Sequence, residues 1–322
     1  MTSIVSRRPK LPPPEGGLRP GARQAGAQRL VRAALGRHPI GMLFSAPYAF
    51  FIAVLFAYPL GLAVWISFHR YFFAAPGVSV PRPYVGLANY EAVFDDPAVR
   101  QAFLNIVIFL VINVPLTVML SLLLATALNA VIPFRAFFRT SFFVPYVTAS
   151  VATVGVWLFM FSSGGIISNV LGPLAPHPSW LINEQWAMPT IAIYVTWKGL
   201  GIFILLYLAA LQSVPKELYE AAKVDGASWW HRFRSVTVPG VRQVTTLVTL
   251  LAVITGANLF TEPYLLTGGG GPNGKSTSPV LQIYETGIEQ NHPDFASALG
   301  VILVVGVLLI VGIQQLVQRR QA

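Results

Sequence analysis

The chain has 322 residues, 54% of them hydrophobic and only 11% charged, with a formal net charge of +10. Soluble domains carry about 25% charged residues, so this composition excludes an ordinary water-soluble globule and points to lipid. The chain contains no cysteine, which excludes disulfides, thiolate metal sites and cysteine nucleophiles, and its histidines (38, 69, 177, 231, 292) have no ligand-like spacing.

In chain order, residues 1–25 are rich in Pro, Gly and Arg, with almost no apolar content, and are expected to be a disordered basic tail. Over 26–40, Ala27, Leu30, Val31, Ala34 and Leu35 recur at helical spacing between Arg29, Arg32 and Arg37. That pattern predicts an amphipathic juxtamembrane helix on the inner leaflet; a frayed linker is the alternative. Residues 41–318 then hold six apolar runs: Gly41–Phe68, Ala102–Leu128, Ser141–Phe161, Ala187–Leu211, Val241–Phe260 and Phe295–Val317. Each is long enough for a hydrocarbon core that takes about 20 helical residues to span. The first is too long for a signal peptide, whose apolar region is about 7–15 residues. The expected fold is an all-α integral membrane protein with six transmembrane helices.

Orientation follows from the basic residues. Seventeen of the 22 Lys and Arg fall in the tail, the second-to-third connection, the fourth-to-fifth connection and the carboxyl end. Arg70, Arg82, Arg100 and Lys275 lie in the opposite loops, and Lys198 lies inside a span. Both termini and the fourth-to-fifth connection are therefore expected in the cytoplasm.

That connection, residues 213–240, reads as a helix-turn-helix. Ser213 can cap, Pro215 suits a first turn, and Leu218, Ala221 and Ala222 form an i, i+3, i+4 stripe. Gly226 stops the first helix, and Ser228 can cap a second that runs to Pro239. Small residues at 221 and 222, ringed by Glu220, Lys223 and Asp225, suit close approach by another surface. The alternative is a loop resting on lipid headgroups through Trp229, Trp230 and Phe233.

Between the last two runs, "GGGPNGKS" (269–276) satisfies the nucleotide-binding pattern G-x-x-x-x-G-K-[ST]. Its context argues against that use. It is expected on the outer face, Pro263 interrupts any feeding strand, and Pro279 sits where a phosphate-binding helix should be in its first turns. A flexible glycine turn is expected instead.

Glu220-Ala221-Ala222, three residues, Gly226, nine residues and Val236-Thr237-Val238-Pro239 resemble the EAA motif, E-A-A-x3-G-x9-I-x-L-P, of binding-protein-dependent ABC importer permeases. Two valines replace its Ile and Leu. Together with the six runs and the outer "YLLTGGGGPNGKST" segment, the chain is similar to the carbohydrate-uptake group, the first permease subunits of maltose, lactose and cellobiose type. The resemblance implies that 213–240 is a coupling loop in which Glu220, Ala221, Ala222, Asp225, Gly226 and Pro239 meet a cytoplasmic ATPase. It further implies a second permease as heterodimer partner, two ATPase subunits and an extracytoplasmic solute-binding protein, with membrane lipid around the chain and no nucleic acid. The location is a bacterial cytoplasmic membrane. The chain itself is non-catalytic and holds no cofactor, ATP and magnesium being bound by the partner ATPase.

A polar solute needs polar groups inside the spans. Asn113, Lys198, Thr255 and Asn258, with Glu262 at the outer end of span five, are the expected pathway residues. Lys198 is about 17 Å of helix into its span. Tyr146, Trp157, Tyr194, Trp197 and Tyr264 are candidates for stacking on sugar rings, belt residues being the alternative. A di- or oligosaccharide is the expected solute; a glycerol phosphate stays open because Lys198 suits an anion. A self-sufficient secondary transporter and a membrane-embedded enzyme fit less well, for want of a clear repeat or an acid/base constellation.

Overall fold

The computed structural model describes residues 39–130 and 133–319. The expected tail (1–25) and nearly all of the expected amphipathic helix (26–40) lie outside the described residues. The chain divides into two compact units, Met1–Gly61 and Leu62–Ala322. Helix α1 (Pro39–Ile52) leads through a π turn at Ala53–Ala57 into α2 (Tyr58–Ser67), within which the division between the units falls. Phe44, Tyr48, Phe50 and Phe56 are exposed, as side chains of a helix apolar on all sides are when lipid covers them.

In the second unit α3 (Ala88–Asp95) precedes α4 (Pro97–Asn129). The Asp96 carboxylate accepts the Ala98 N–H at 2.7 Å and Pro97 occupies the first turn, where its missing N–H costs nothing. Then come α5 (Arg135–Val147), α6 (Ser150–Phe161), α7 (Ile166–Leu171) and α8 (Ala187–Ser213). The connection holds α9 (Lys216–Val224), α10 (Trp229–Arg232) and α11 (Val238–Gly240). The chain ends with α12 (Arg242–Ala257), α13 (Thr261–Leu266), α14 (Pro279–Tyr284) and α15 (Pro293–Arg319). One isolated bridge, His69 to Tyr84, is the only extended pairing among the described residues.

The all-α expectation holds. Five segments are long and apolar enough to cross a membrane, and a sixth arises if Trp229–Gly240 and Arg242–Ala257, bent by 73°, form one span. Two expected spans differ in detail. The run Ser141–Phe161 is not one helix: it breaks at Thr148–Ala149, both in extended conformation, shortly after Pro145. The qualifying segment there is Ser150–Leu174. The fifth run begins at a sharp bend at Val241 and ends at Ala257 rather than Phe260.

The interior is built on α4 against α8. Leu122, Ala125, Ile204, Tyr207 and Leu208 form one buried cluster with Val241 and Val248. Ile106, Phe109, Met188, Ile191 and Tyr194 form a second toward the other ends of these helices. Lipid is as apolar as leucine, so such an interface depends on close packing and internal hydrogen bonds rather than on water exclusion. Both devices are present. The Asn113 amide donates to Thr196 Oγ1 at 2.8 Å, inside the α4–α8 seam. At Gly201 a Cβ would stand 2.6 Å from the Phe142 carbonyl oxygen, so only glycine lets α5 approach α8 this closely.

Candidate docking elbow and polar path

The elbow after α8 differs from its expected details at the start. Ser213 does not cap α9; its hydroxyl donates back to the Ala210 carbonyl at 2.7 Å, and Pro215 is the extended residue from which α9 departs. The end of α9 is as expected. Gly226 has φ +74°, its N–H donates to the Lys223 carbonyl at 3.0 Å, and the Ala227 N–H donates to Ala222 at 2.9 Å. This pair of bonds is the Schellman arrangement, in which a left-handed glycine turns the chain while satisfying terminal carbonyls. Ser228 then caps α10, accepting the His231 N–H at 3.3 Å.

The i, i+3, i+4 stripe faces outward. Leu218, Glu220, Ala221, Asp225, Gly226 and Pro239 are exposed, Ala222 is half-buried, and Val224 is 88% exposed. The contacts that fix α9 are ones the sequence reading missed: the Tyr219 hydroxyl meets the buried Thr237 Oγ1 of the elbow's second arm at 3.1 Å, and its ring packs on the α4–α8 cluster. Tyr219 precedes half-buried Ala222 by three residues, and that spacing was the available signal. The elbow is thus a fixed platform with an exposed outer face.

The glycine loop is folded shut rather than flexible. Gly268 to Gly271 all have positive φ, and a Cβ at Gly270 would lie 2.1 Å from Thr277 Oγ1. The Asn105 amide donates to the carbonyls of Gly274 and Thr277 at 2.7 and 2.9 Å, and the Ser276 N–H donates to Gly270 at 2.8 Å. Lys275 Nζ donates to Gln101 Oε1 at 3.0 Å. The loop follows a helix, α13, not a strand, so its lysine and backbone are committed to packing. Asn105 and Thr126, which lies beside Tyr219 and Trp229 of the elbow, are separated by about 32 Å of α4, so loop and elbow sit at opposite ends of a membrane-length helix.

Of the expected path residues, Asn113 lies inside the α4–α8 interface with its amide occupied. Thr255 and Asn258 are exposed on and just beyond α12, and the Asn258 amide donates to Ile254 of its own turn. Lys198 is half-buried and donates to Ser150 Oγ, at the head of α6 beside the helix break. Glu262, on α13 beyond the spans, has its carboxyl pushed up by burial; its own backbone hydrogen bond and the Lys198 charge pull the other way. Lys198 thus bonds to Ser150 and acts on Glu262 through its charge alone, while Asn113 bonds elsewhere, to Thr196. Ser150 was missed, because it lies inside the run Ser141–Phe161 with Thr148 and Thr153 on either side.

The aromatic candidates divide. Tyr194 is fully buried with its hydroxyl on Thr153 Oγ1 at 2.7 Å, and Trp157 stacks on Phe161 at 4.6 Å. Neither has a free face for a sugar. Tyr146, Trp197 and Tyr264 keep exposed rings.

At the glycine-loop end, a cavity of about 760 Å³ lies between the chain following α2 and the approach to α15. Asn291, at φ +57°, clamps it by accepting from the Phe73 N–H at 2.9 Å, and Asp294 accepts from Tyr71 at 3.2 Å. Nearby, burial and the neighbouring Glu289 push the Glu285 carboxyl above the usual carboxylate range. Among the described residues no group of three or more His, Asp or Glu could hold a metal ion.

Residues 96–322 match the family described as binding-protein-dependent transport system inner membrane component. The lactose transport system permease protein LacF of Rhizobium radiobacter is 34% identical over 270 residues, covering 82% of this chain and 88% of that protein. The arabinooligosaccharides permease AraP of Halalkalibacterium halodurans is 34% identical over 264 residues, 81% of each chain. The trehalose/maltose permease MalF of Thermococcus litoralis is 33% identical over 244 residues, 75% of this chain and 81% of that one. In fold, the chain is similar to one from the crystal structure of a bacterial ABC transporter that imports alginate. The TM-score is 0.73 at 21% identity, covering 90% of this chain and 98% of that one.

Proposed function

The chain belongs to the family of binding-protein-dependent transport system inner membrane components, and from that premise we propose that it forms half of a sugar path through a bacterial cytoplasmic membrane. It works as a permease subunit of an ABC importer. A second permease completes the path, two cytoplasmic ATPase subunits drive it, and an extracytoplasmic binding protein delivers a di- or oligosaccharide. The named sugars of its relatives support the substrate class.

Six crossings with both termini in the cytoplasm agree with the basic-residue distribution. The first, second, fourth and sixth are the long apolar segments Phe44–Ser67, Pro97–Asn129, Ala187–Ser213 and Pro293–Leu316. The third is α5 with α6, broken where Ser150 meets Lys198 near mid-depth. The fifth is α12, entered through the bend at Val241.

The observation that carries this reading is an exposed elbow built rigidly onto the membrane helices. Glu220, Ala221, Ala222, Asp225 and Gly226 present a small-residue surface with charges at its edge, and Pro239 follows in the second helix. A partner ATPase that grips α9 moves it as a unit with Thr237, through Tyr219. Thr237 lies four residues from buried Val241, where α12 begins, and α12 ends next to Asn258 and Glu262. A displacement at the elbow is thereby delivered along one helix to the polar group around Lys198. Differential contact of the ATPase with two positions of this lever is what couples hydrolysis to opening. ATP and magnesium are assigned to the partner ATPase, and the Lys275–Gln101 hydrogen bond gives the glycine loop a packing role.

A neutral saccharide is favoured over a glycerol phosphate by the named sugars of its relatives. The test is uptake into vesicles holding both permeases and the ATPase, with the loaded binding protein added outside. Sugar accumulation that needs all components supports the reading; accumulation by this subunit alone, or driven by an ion gradient without ATP, contradicts it.

A further inference from the structure

A groove of about 320 Å³ separates the end of α4 from the inner side of the elbow, lined by Thr126, Asn129, Tyr219, Lys223, Trp229 and Arg232. Among the described residues its lining contains two cations and no carboxylate. We propose that this groove binds the headgroup phosphate of an anionic phospholipid from the inner leaflet.

The level in the membrane is set by its neighbours. The groove lies where α4 and α8, both of membrane length, end. Beside it Trp229 and Trp230 are 56% and 59% exposed, stacked on Phe233 at 5.5 and 5.6 Å. The 73° bend at Val241 lays their helix across α12 rather than in line with it. A helix lying across the spans with two adjacent exposed tryptophans fits the headgroup zone, where an amphipathic indole meets both phases.

The charge fits an anion. Arg232 is held in place by donating through Nη1 to the Ala227 carbonyl at 2.7 Å, and a guanidinium has five N–H donors, so most remain for a ligand. Asn129 adds a neutral amide donor, while the Thr126 hydroxyl is spent on the Leu122 carbonyl at 2.8 Å and Tyr219 is paired with Thr237. Basic pockets between helices at the cytoplasmic surface attract anionic headgroups. Its volume, about 320 Å³, is at the small end of ligand pockets and suits a small polar group. The lipid and the ATPase would then use opposite sides of one elbow: Glu220, Ala221 and Asp225 outside, Lys223 and Arg232 within. This rests on the proposed cytoplasmic placement of the elbow.

The experiment uses the assembled transporter, purified and exchanged into phosphatidylcholine with increasing phosphatidylglycerol. Retained phosphatidylglycerol is counted by native mass spectrometry. Arg232→Gln keeps an amide for the Ala227 carbonyl and removes the charge, and Lys223→Gln removes the other. Each should weaken retention roughly fivefold, whereas Arg234→Gln, an exposed arginine outside the groove, should leave it unchanged. Equal retention in all variants overturns the proposal. So does displacement of the lipid by inorganic phosphate, which would make this a free-anion site, or cross-linking of a Thr126→Cys variant to the ATPase, which would mean protein fills the groove. A Ser235→Cys variant reads the placement separately. Labelling only from outside defeats the orientation, while cytoplasmic labelling with unchanged retention defeats the lipid site alone.

Discussion

The Asn105 side chain donates to the Gly274 carbonyl at 2.7 Å, so one buried amide on a long helix closes a glycine loop 169 residues later. Because it also holds Thr277 at 2.9 Å, Asn105 is the keystone of the segment that imitates a phosphate-binding loop. Asn105→Ala leaves two carbonyls without their donor, which costs about 1–3 kcal/mol for each one left buried. The melting temperature of the solubilised subunit should fall by several degrees. An unchanged melt would show that the loop is held by other contacts.

Lys275→Ala should leave ATP hydrolysis by the assembled complex largely intact, because the Lys275 ammonium already has Gln101 as partner. Loss of nucleotide binding by the isolated subunit would reverse this conclusion.

Topology gives an independent check. A cysteine at Asn273 should react with an impermeant reagent from outside, and a reporter after Ala322 should be cytoplasmic. Cytoplasmic labelling at Asn273 would contradict the six-crossing arrangement.

Much of the fold was legible because apolar runs of membrane length have few alternative structures. The glycine stop at 226 was legible for a similar reason: one residue type suits that backbone. What was not legible depended on contacts distant in sequence. The break at Thr148–Ala149 is hidden inside a run that hydropathy reads as continuous, and the partner of Ser150 beside it is Lys198, 48 residues later. Asn113 reads as a path residue from polarity alone, but polarity cannot say whether an amide faces a path or Thr196. Tyr194 likewise turned out to be buried. The glycine loop's apparent freedom was a property of its composition, which the fixing bonds from Asn105 and Ser276 remove.

Glu285 makes a pH prediction with a definite sign. Its carboxyl is raised in the fold by burial and by Glu289, so folding favours the protonated form. The stability this group contributes is present below the ordinary glutamate range and is lost as pH rises through the elevated folded value. Glu285→Gln should therefore raise the melting temperature at neutral pH, with the gain shrinking as the buffer is acidified. A gain that grows on acidification would contradict the shift.

Lys198 and Glu262 should behave as a coupled pair. If the acid offsets the lysine charge, Lys198→Met alone should impair uptake more than Lys198→Met with Glu262→Gln, since the double variant leaves neither charge uncompensated. Strictly additive losses would mean that they act independently.

The elbow carries the central claim, and coupled transport in reconstituted vesicles tests it most directly. At φ +74° Gly226 has open space for a Cβ, so the penalty for a larger residue is backbone strain. That strain is about 1–2 kcal/mol for an ordinary side chain and is worse when it is β-branched. Gly226→Asn should transport sugar nearly normally, while Gly226→Val and Glu220→Lys should insert in the membrane yet lose ATP hydrolysis stimulated by the loaded binding protein, and uptake with it. Sugar affinity of the isolated binding protein should not change. Wild-type stimulation and uptake from both Gly226→Val and Glu220→Lys would contradict the assignment of this elbow as the element that couples ATP to sugar import.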